Sequence, residues 1–495
     1  MIMFFTSTRK NCNISASAAI AKGISEDGGL FVPSEFPKLE PGELEAMVKL
    51  SYKERAARVL QKFLTDYSEQ ELAMCVEGAY EGKFDDNIPA PLKEITPGVN
   101  ILELWHGPTC AFKDMALQIL PYLLTVATQK NCPERTTVIL VATSGDTGKA
   151  ALEGFANVPG TKIIVFFPRD GVSDMQKLQM ITQAGDNVTV CAIEGNFDDA
   201  QTGVKNIFAD RNIAEYLEKR NMEFSSANSI NFGRLAPQII YYISSYCDML
   251  KDGRITPGTM VNIAVPTGNF GNILAAYYAK QMGLPVKRFI CASNRNNILS
   301  DFIASGVYDR NRPFYTTESP SMDILISSNL ERLLYHLADG NCELIASLMN
   351  DLKNNGKYTI PTEIFDRLKQ EFYGGFSDDD AVRQTIKDCF DKYNYLCDTH
   401  TAVAVNVYQR YAAECGDMTP VIIASTASPY KFAPAVLGAL NGNSSECDGF
   451  ETMEKLAKAS STAIPQPLTR LRNAEILHNA TIKKTEMAEF IKQVL

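Results

Sequence analysis

Short, continuous apolar runs recur through the middle of this chain, and most of them lead into a segment with helical spacing. Thr137-Val-Ile-Leu-Val-Ala142 precedes a helical stretch from Ala150 to Phe155, and Lys162-Ile-Ile-Val-Phe-Phe167 precedes one from Asp174 to Gln183. Met260 to Val265 leads into Asn272 to Met282, Arg288 to Ala292 follows, and Val421 to Ala424 leads into Lys431 to Leu440. A strand that is apolar throughout must be covered on both faces, and an intervening helix supplies the crossover that parallel pairing requires. The pattern predicts an α/β chain whose parallel sheets are flanked by helices.

Residues 1–92 have a different texture, with helical patterning through Glu43 to Leu64 and Glu69 to Tyr80, closed by Ile88-Pro-Ala-Pro-Leu92. A mainly helical N-terminal domain over 1–92 is expected, followed by a region over 93–495 built from two α/β subdomains. Within that region the charged stretch from about 330 to 395 reads as a helical insertion.

Composition excludes several classes of function. The chain has 495 residues, 45% of them hydrophobic, which suits a large globular core. A net charge of -10 without a basic block argues against nucleic acid as a partner, and no apolar segment has the length of a membrane span. The apolar opening Met1-Ile-Met-Phe-Phe5 lacks an export-type continuation, so a cytoplasmic location is expected. Twelve scattered cysteines form no C-x-x-C pair, and only four histidines are present, so no metal site is expected.

In parallel α/β sheets, ligands bind beyond the carboxyl ends of the strands, where loops meet helix N-termini. The loop Ala142-Thr-Ser-Gly-Asp-Thr-Gly-Lys149 offers hydroxyls and amides to an anion, but it lacks the residues of a nucleotide P-loop. Pro266-Thr-Gly-Asn-Phe-Gly-Asn272 can bring several amides onto one phosphate, although by itself it also fits a sharp turn. Ser425 and Thr426 offer neutral hydroxyls in a run that equally fits a helix cap. Ser225 to Arg234 is unusually polar before an apolar helix from Leu235 to Met249, which suits either capping with a solvated arginine or an anion site. Lys113, between Phe112 and Asp114 after a Gly-Pro turn, is a candidate for an amine desolvated enough to form a Schiff base; alone, it would equally fit a surface charge.

In combination, Trp105-His-Gly-Pro-Thr-Cys-Ala-Phe-Lys-Asp114, Thr143-Ser-Gly-Asp-Thr-Gly148, Asn228-Ser-Ile-Asn231, Pro266-Thr-Gly-Asn-Phe-Gly271 and Ser425-Thr-Ala427 resemble the threonine synthase family. Gly23 to Pro33 resembles that family's N-terminal domain, so the resemblance covers nearly the whole chain. It implies a fold type II enzyme with pyridoxal 5'-phosphate as cofactor and Lys113 as its Schiff-base lysine. Gly268, Asn269, Phe270, Gly271 and Asn272 would hold the cofactor's phosphate, and Thr426 would meet the pyridine nitrogen. Thr143, Ser144, Asp146 and Thr147 match the loop that receives the substrate's α-carboxylate and surrounds the cofactor. Two departures stand out: Cys110 occupies a position that is often aliphatic, and Ser428 stands where a histidine often precedes the proline.

The family's reaction converts O-phospho-L-homoserine and water into L-threonine and phosphate by γ-elimination and β-addition, the last step of threonine biosynthesis. Lys113 would then serve repeatedly as acid and base. A second anion site is needed for the departing phosphate, with Lys149, Asn228, Ser229, Asn231 and Arg234 as candidates and Arg234 foremost. His106 would orient the lysine loop or make a structural bond, and Asp398, Thr399 and His400 lie either near the site or at a helix cap. A lyase releasing 2-oxobutyrate, ammonia and phosphate, and a non-catalytic metabolite-binding protein of the same fold, are the competing expectations. The partner is a small molecule, and the chain is expected as a monomer or homodimer.

Overall fold

The computed structural model describes residues 2–143, 145–170, 172–442 and 449–495. Two parallel sheets organise it. In the first, the order is Thr481–Lys483, Val188–Glu194, Thr161–Pro168, Thr136–Ala142 and Met222–Ser225, with every neighbouring pair parallel. In the second, Phe372–Phe376, Val286–Ser293, Val261–Pro266, Val421–Ser425 and Val99–Glu103 run parallel, and Leu92–Thr96 closes the edge antiparallel. The apolar runs of the sequence are thus sheet strands, as expected of strands covered on both faces.

Adjacency in the second sheet decides where chemistry can occur. Val261–Pro266, Val421–Ser425 and Val99–Glu103 lie side by side and point the same way. The loops leaving their carboxyl ends therefore converge, and they are the glycine loop, the Thr426 loop and the Lys113 loop.

The long helix Phe232–Lys251 is buried on almost every side, which explains its all-round apolar character. Among the described residues no helix is long and apolar enough to cross a membrane.

The N-terminal segment contains more than helices. Phe4–Ser7 pairs antiparallel with Ile14–Ser15 and with Phe31–Pro33, so the apolar opening of the chain is a strand. Its Phe5 is fully buried, with the ring edge-on to Phe232 at 4.6 Å. The continuous helical pattern from Glu43 to Leu64 is broken into Glu43–Met47 and Tyr52–Phe63, because Ser51 and Glu54 form a capping box that starts a new helix. Phe63 lies 5.8 Å from Phe232, and one hydrophobic cluster runs from these helices into both sheets.

The stretch from 330 to 395 carries the helices Leu330–Leu337, Cys342–Asn355, Thr362–Glu371 and Asp379–Tyr393, but Phe372–Phe376 inside it is an edge strand of the second sheet. Two glycines hide that strand from a pattern search and make it possible. A Cβ on Gly375 would lie 2.6 Å from Val407, and one on Gly374 would lie 3.0 Å from the Ser300 backbone.

Close approach also fixes the element that carries Lys113. Gly154, in the helix Asp146–Phe155, faces the short helix Asp114–Leu117 so tightly that a Cβ would meet the Leu117 carbonyl oxygen at 2.0 Å. Gly154→Ala is expected to lower the unfolding free energy by about 1–3 kcal/mol, read from denaturant midpoints. An unchanged midpoint would mean that the two helices can separate freely.

Candidate active site

The Lys113 and Thr426 loops are laced together by main-chain bonds. Leu104 donates to Ser425 O at 3.0 Å, Phe112 to Thr426 O at 2.8 Å and Ser428 to Cys110 O at 3.0 Å. Cys110 sits at φ 56°, a left-handed conformation that is costly for a residue with a Cβ. Phe270, at φ 62°, starts the helix Gly271–Met282 in the same strained way.

Lys113 is largely buried, and its Nζ lies 3.6 Å from Asp146 Oδ2 and 3.5 Å from Ser321 Oγ. The ammonium sits over the Phe112 ring at 5.2 Å. Burial pushes the amine below its ordinary pKa; the Asp146 carboxylate opposes this, while the charges of Lys431 and Arg234 reinforce it. Asp114 takes no part. It turns back to accept from the Thr109 amide at 2.8 Å and the Thr109 hydroxyl at 2.7 Å, fixing the Gly-Pro turn, and burial raises its carboxyl to about 7.

Asp146 is the hub of the site. Lys431, its side chain almost wholly buried, places Nζ 2.6 Å from Asp146 Oδ1 and donates to Thr109 O at 2.9 Å, while Gln176 Nε2 donates to the same carboxylate oxygen at 2.8 Å. Burial resists ionisation of Asp146, but Lys431, Lys113 and these bonds overcome it and hold the carboxyl well below its ordinary value. Of the two roles implied for its loop, a carboxylate committed to two lysines suits a place beside the cofactor better than direct contact with a substrate carboxylate, which it would repel. Thr143 is likewise committed, since its Oγ1 accepts from the amides of Gly145 and Gly148 and bonds Gly145 O, shaping the loop from within. Thr147 is half-buried one residue beyond Asp146, and Ser144 lies outside the described residues.

In the glycine loop, Gly268 is required by close contact, because a Cβ there would lie 2.7 Å from Ser321 O. Gly268 O accepts from Ser327 Oγ at 2.7 Å, and Asn269 O accepts from the Asn329 amide. Asn272 takes the Tyr242 hydroxyl on Oδ1, which leaves its buried Nδ2 without a partner.

Arg234 is equally notable. It is 3% exposed, bonds only Ala227 O through Nη1, leaves Nε unpartnered, and forms no ion pair among the described residues. A buried guanidinium without a carboxylate is costly unless a ligand supplies the negative charge.

Other candidates have structural employment. Lys149 is paired with Glu153 at 2.8 Å and bonded to Gln183, so its charge is already met within the protein. Asn231 caps Gly233 with Oδ1 and spends Nδ2 on Ile20 O and Ser226 O, which likewise leaves nothing for substrate. Asn228 is exposed, and Ser229 is half-buried beside Asn329. His106 bridges Glu103 at 2.9 Å and Asp85 at 3.2 Å; burial opposes its charge, but those carboxylates raise its pKa overall.

Several residues of the site carried no legible signal. In sequence Lys431 reads only as the start of a helix, and Ser321 lies in a loop without a motif. His400 Nε2 accepts from the Ser321 amide at 3.1 Å, and its Nδ1 bonds Asp398 at 2.8 Å, so the cap residue Asp398 also positions the turn that faces Lys113.

With this geometry in place, the chain can be set beside known proteins. Family models match as "Threonine synthase N terminus" over residues 4–80, "Pyridoxal-phosphate dependent enzyme" over 89–426 and "Threonine synthase, C-terminal" over 401–478. Threonine synthase of Schizosaccharomyces pombe is 38% identical, covering 89% of this chain and 90% of that protein. Human threonine synthase-like 1 is 39% identical over 98% of this chain, which spans 65% of that protein's length. The crystal structure of pyridoxal-phosphate-bound threonine synthase from Brucella melitensis superposes with a TM-score of 0.88 at 35% identity, over 99% of both chains.

Asp146→Asn is expected to cost about 3–5 kcal/mol of unfolding free energy at neutral pH by leaving two buried ammonium groups without their counter-charge, and Lys431→Met in the same protein is expected to recover part of it. Because the carboxyl is held low in the folded state, its contribution is complete above the ordinary value of 3.8 and disappears as pH falls through the folded value. The stability gap between native protein and variant should therefore narrow in acid; a gap independent of pH would contradict the assignment.

Proposed function

Since the chain belongs to the threonine synthase family of pyridoxal-phosphate enzymes, we propose that it converts O-phospho-L-homoserine and water into L-threonine and phosphate. The observation that carries this reading is the buried Lys113 amine, 3.6 Å from a carboxylate that Lys431 already holds ionised. Pyridoxal phosphate, when bound, supplies an electron sink that acidifies the carbons next to the substrate's amine.

The donor set fits that cofactor. The unpartnered Nδ2 of Asn272, the amides that open the helix Gly271–Met282 and the tight turn at Gly268 suit a phosphate. Thr426, buried and tied through its carbonyl to Phe112, would offer its hydroxyl to the pyridine nitrogen. A hydroxyl does not hold that nitrogen protonated as a carboxylate would, so proton movement has to be governed by the protein.

Lys113 is equipped for that task. Its proton is loosened by burial and by two neighbouring cations, and is retained by Asp146, so the amine can take a proton at one substrate carbon and deliver it at another. Asp146 stays ionised throughout, which keeps the lysine oriented while its charge changes. Arg234, buried and without a carboxylate, would receive the phosphate that leaves from Cγ. Residues 1–92 would act as the wall that supports this site, as their shared core with the catalytic region suggests.

The test is to supply the cofactor-loaded protein with O-phospho-L-homoserine and follow threonine, 2-oxobutyrate and phosphate together. Threonine equal to phosphate is expected, and Lys113→Ala should lower turnover about a thousandfold or more. Phosphate release matched mainly by 2-oxobutyrate would overturn the synthase reading in favour of the lyase.

A further inference from the structure

Beside the Asn228–Arg234 turn stands a second buried arginine with no ion pair among the described residues. Arg332 is fully buried and bonds only neutral oxygens: its Nε donates to Phe31 O at 3.0 Å, Nη2 to Ile230 O and Nη1 to Asn329 Oδ1. Asn329, itself fully buried, donates from Nδ2 to Asn269 O at 3.0 Å and to Ser229 Oγ at 3.3 Å.

Neighbours of fixed polarity settle which way this amide points. A guanidinium can only donate, so the asparagine's oxygen faces Arg332; a backbone carbonyl can only accept, so the nitrogen faces Asn269. The Ser229 oxygen then receives an N–H, and its own proton must be directed elsewhere. Such a chain, from a buried cation through an amide to a hydroxyl, polarises each bond in the same direction.

We propose that Arg332 and Asn329 are positioning residues that make Ser229 a hydroxyl donor to a phosphate monoester. The inference rests on the reading of the site as one that handles two phosphates. Arg332 touches no ligand; it sets phosphate affinity through Asn329. Arg234, on the same turn and with Nε unpartnered, supplies the direct charge. The relay also ties the N-terminal strand Phe31–Pro33 to the site, because Phe31 O holds Arg332 in place.

The phosphate can be the substrate's or the cofactor's, and two titrations separate them. The full chain loaded with pyridoxal phosphate is titrated with inorganic phosphate, and the cofactor-free chain is titrated with pyridoxal phosphate. Asn329→Asp, nearly isosteric but with an acceptor where the relay needs a donor, is expected to weaken one titration about tenfold or more. Weakening of the first assigns the relay to the substrate's phosphate, and weakening of the second assigns it to the cofactor's. Ser229→Ala, a small change at a half-buried side chain, should weaken the same titration, and the double variant should be little worse than either single one. Native affinities in both titrations, or losses that simply add, overturn the proposal. A relay upheld by these titrations in a protein that makes no threonine would leave this inference intact and sink the proposed reaction.

Discussion

A single buried carboxylate organises the proposed active site of this protein. Asp146 lies between Lys113 and Lys431, at 3.6 and 2.6 Å, and the three groups come from three separate loops. Removing two ammonium groups and a carboxylate from water is costly, and their mutual attraction in a low-dielectric site repays that cost only while all three remain in place. The Lys113 loop, the Thr143–Gly148 loop and the Thr426–Lys431 turn are therefore held to one another electrostatically as well as by main-chain bonds. The residual positive charge of this triad, joined by Arg234, suits the anionic cofactor and the phosphate-bearing substrate proposed for this site.

The fold was largely legible because it follows from periodicity. Continuous runs such as Val138 to Val141 and Ile263 to Val265 can only be strands covered on both faces, and the turns after them had to meet helix N-termini. Phe372–Phe376 escaped because Gly374 and Gly375 erase the apolar pattern, and the N-terminal strands escaped because they are only two to four residues long. The site was half legible. Of the residues proposed for the site, Lys113, the glycine loop and Thr426 stand out by local motif, whereas the partnership of Asp146 with Lys431 joins positions far apart in sequence and exists only after two sheets have packed. Local motif also misleads: Lys149 and Asn231 look like anion ligands in sequence, but the fold spends them on Glu153 and Gln183 and on Ile20 and Ser226.

The N-terminal segment belongs to this account as a support for the site. Glu331 accepts a bidentate pair from Arg9 at 2.9 and 2.8 Å together with the Thr8 hydroxyl, and Arg332, the next residue, bonds Phe31 O. Two adjacent residues at the start of one helix thus clamp the small antiparallel sheet, and from that clamp Asn329 reaches the glycine loop. The stretch that reads in sequence as a charged insertion is, in the fold, the link between the first strands of the chain and the catalytic loops.

Of two buried lysines that share one carboxylate, Lys113 is the one proposed to react through its amine. Lys431 is the more deeply buried of the two and the more tightly paired, 2.6 Å from Asp146 and bonded to Thr109 O, whereas Lys113 stands 3.6 Å from that carboxylate. Incubation with pyridoxal phosphate, reduction with borohydride and peptide mapping by mass spectrometry decide between them. A stable pyridoxyl adduct is expected on the peptide carrying Lys113; an adduct on Lys431 with Lys113 unmodified would contradict the assignment.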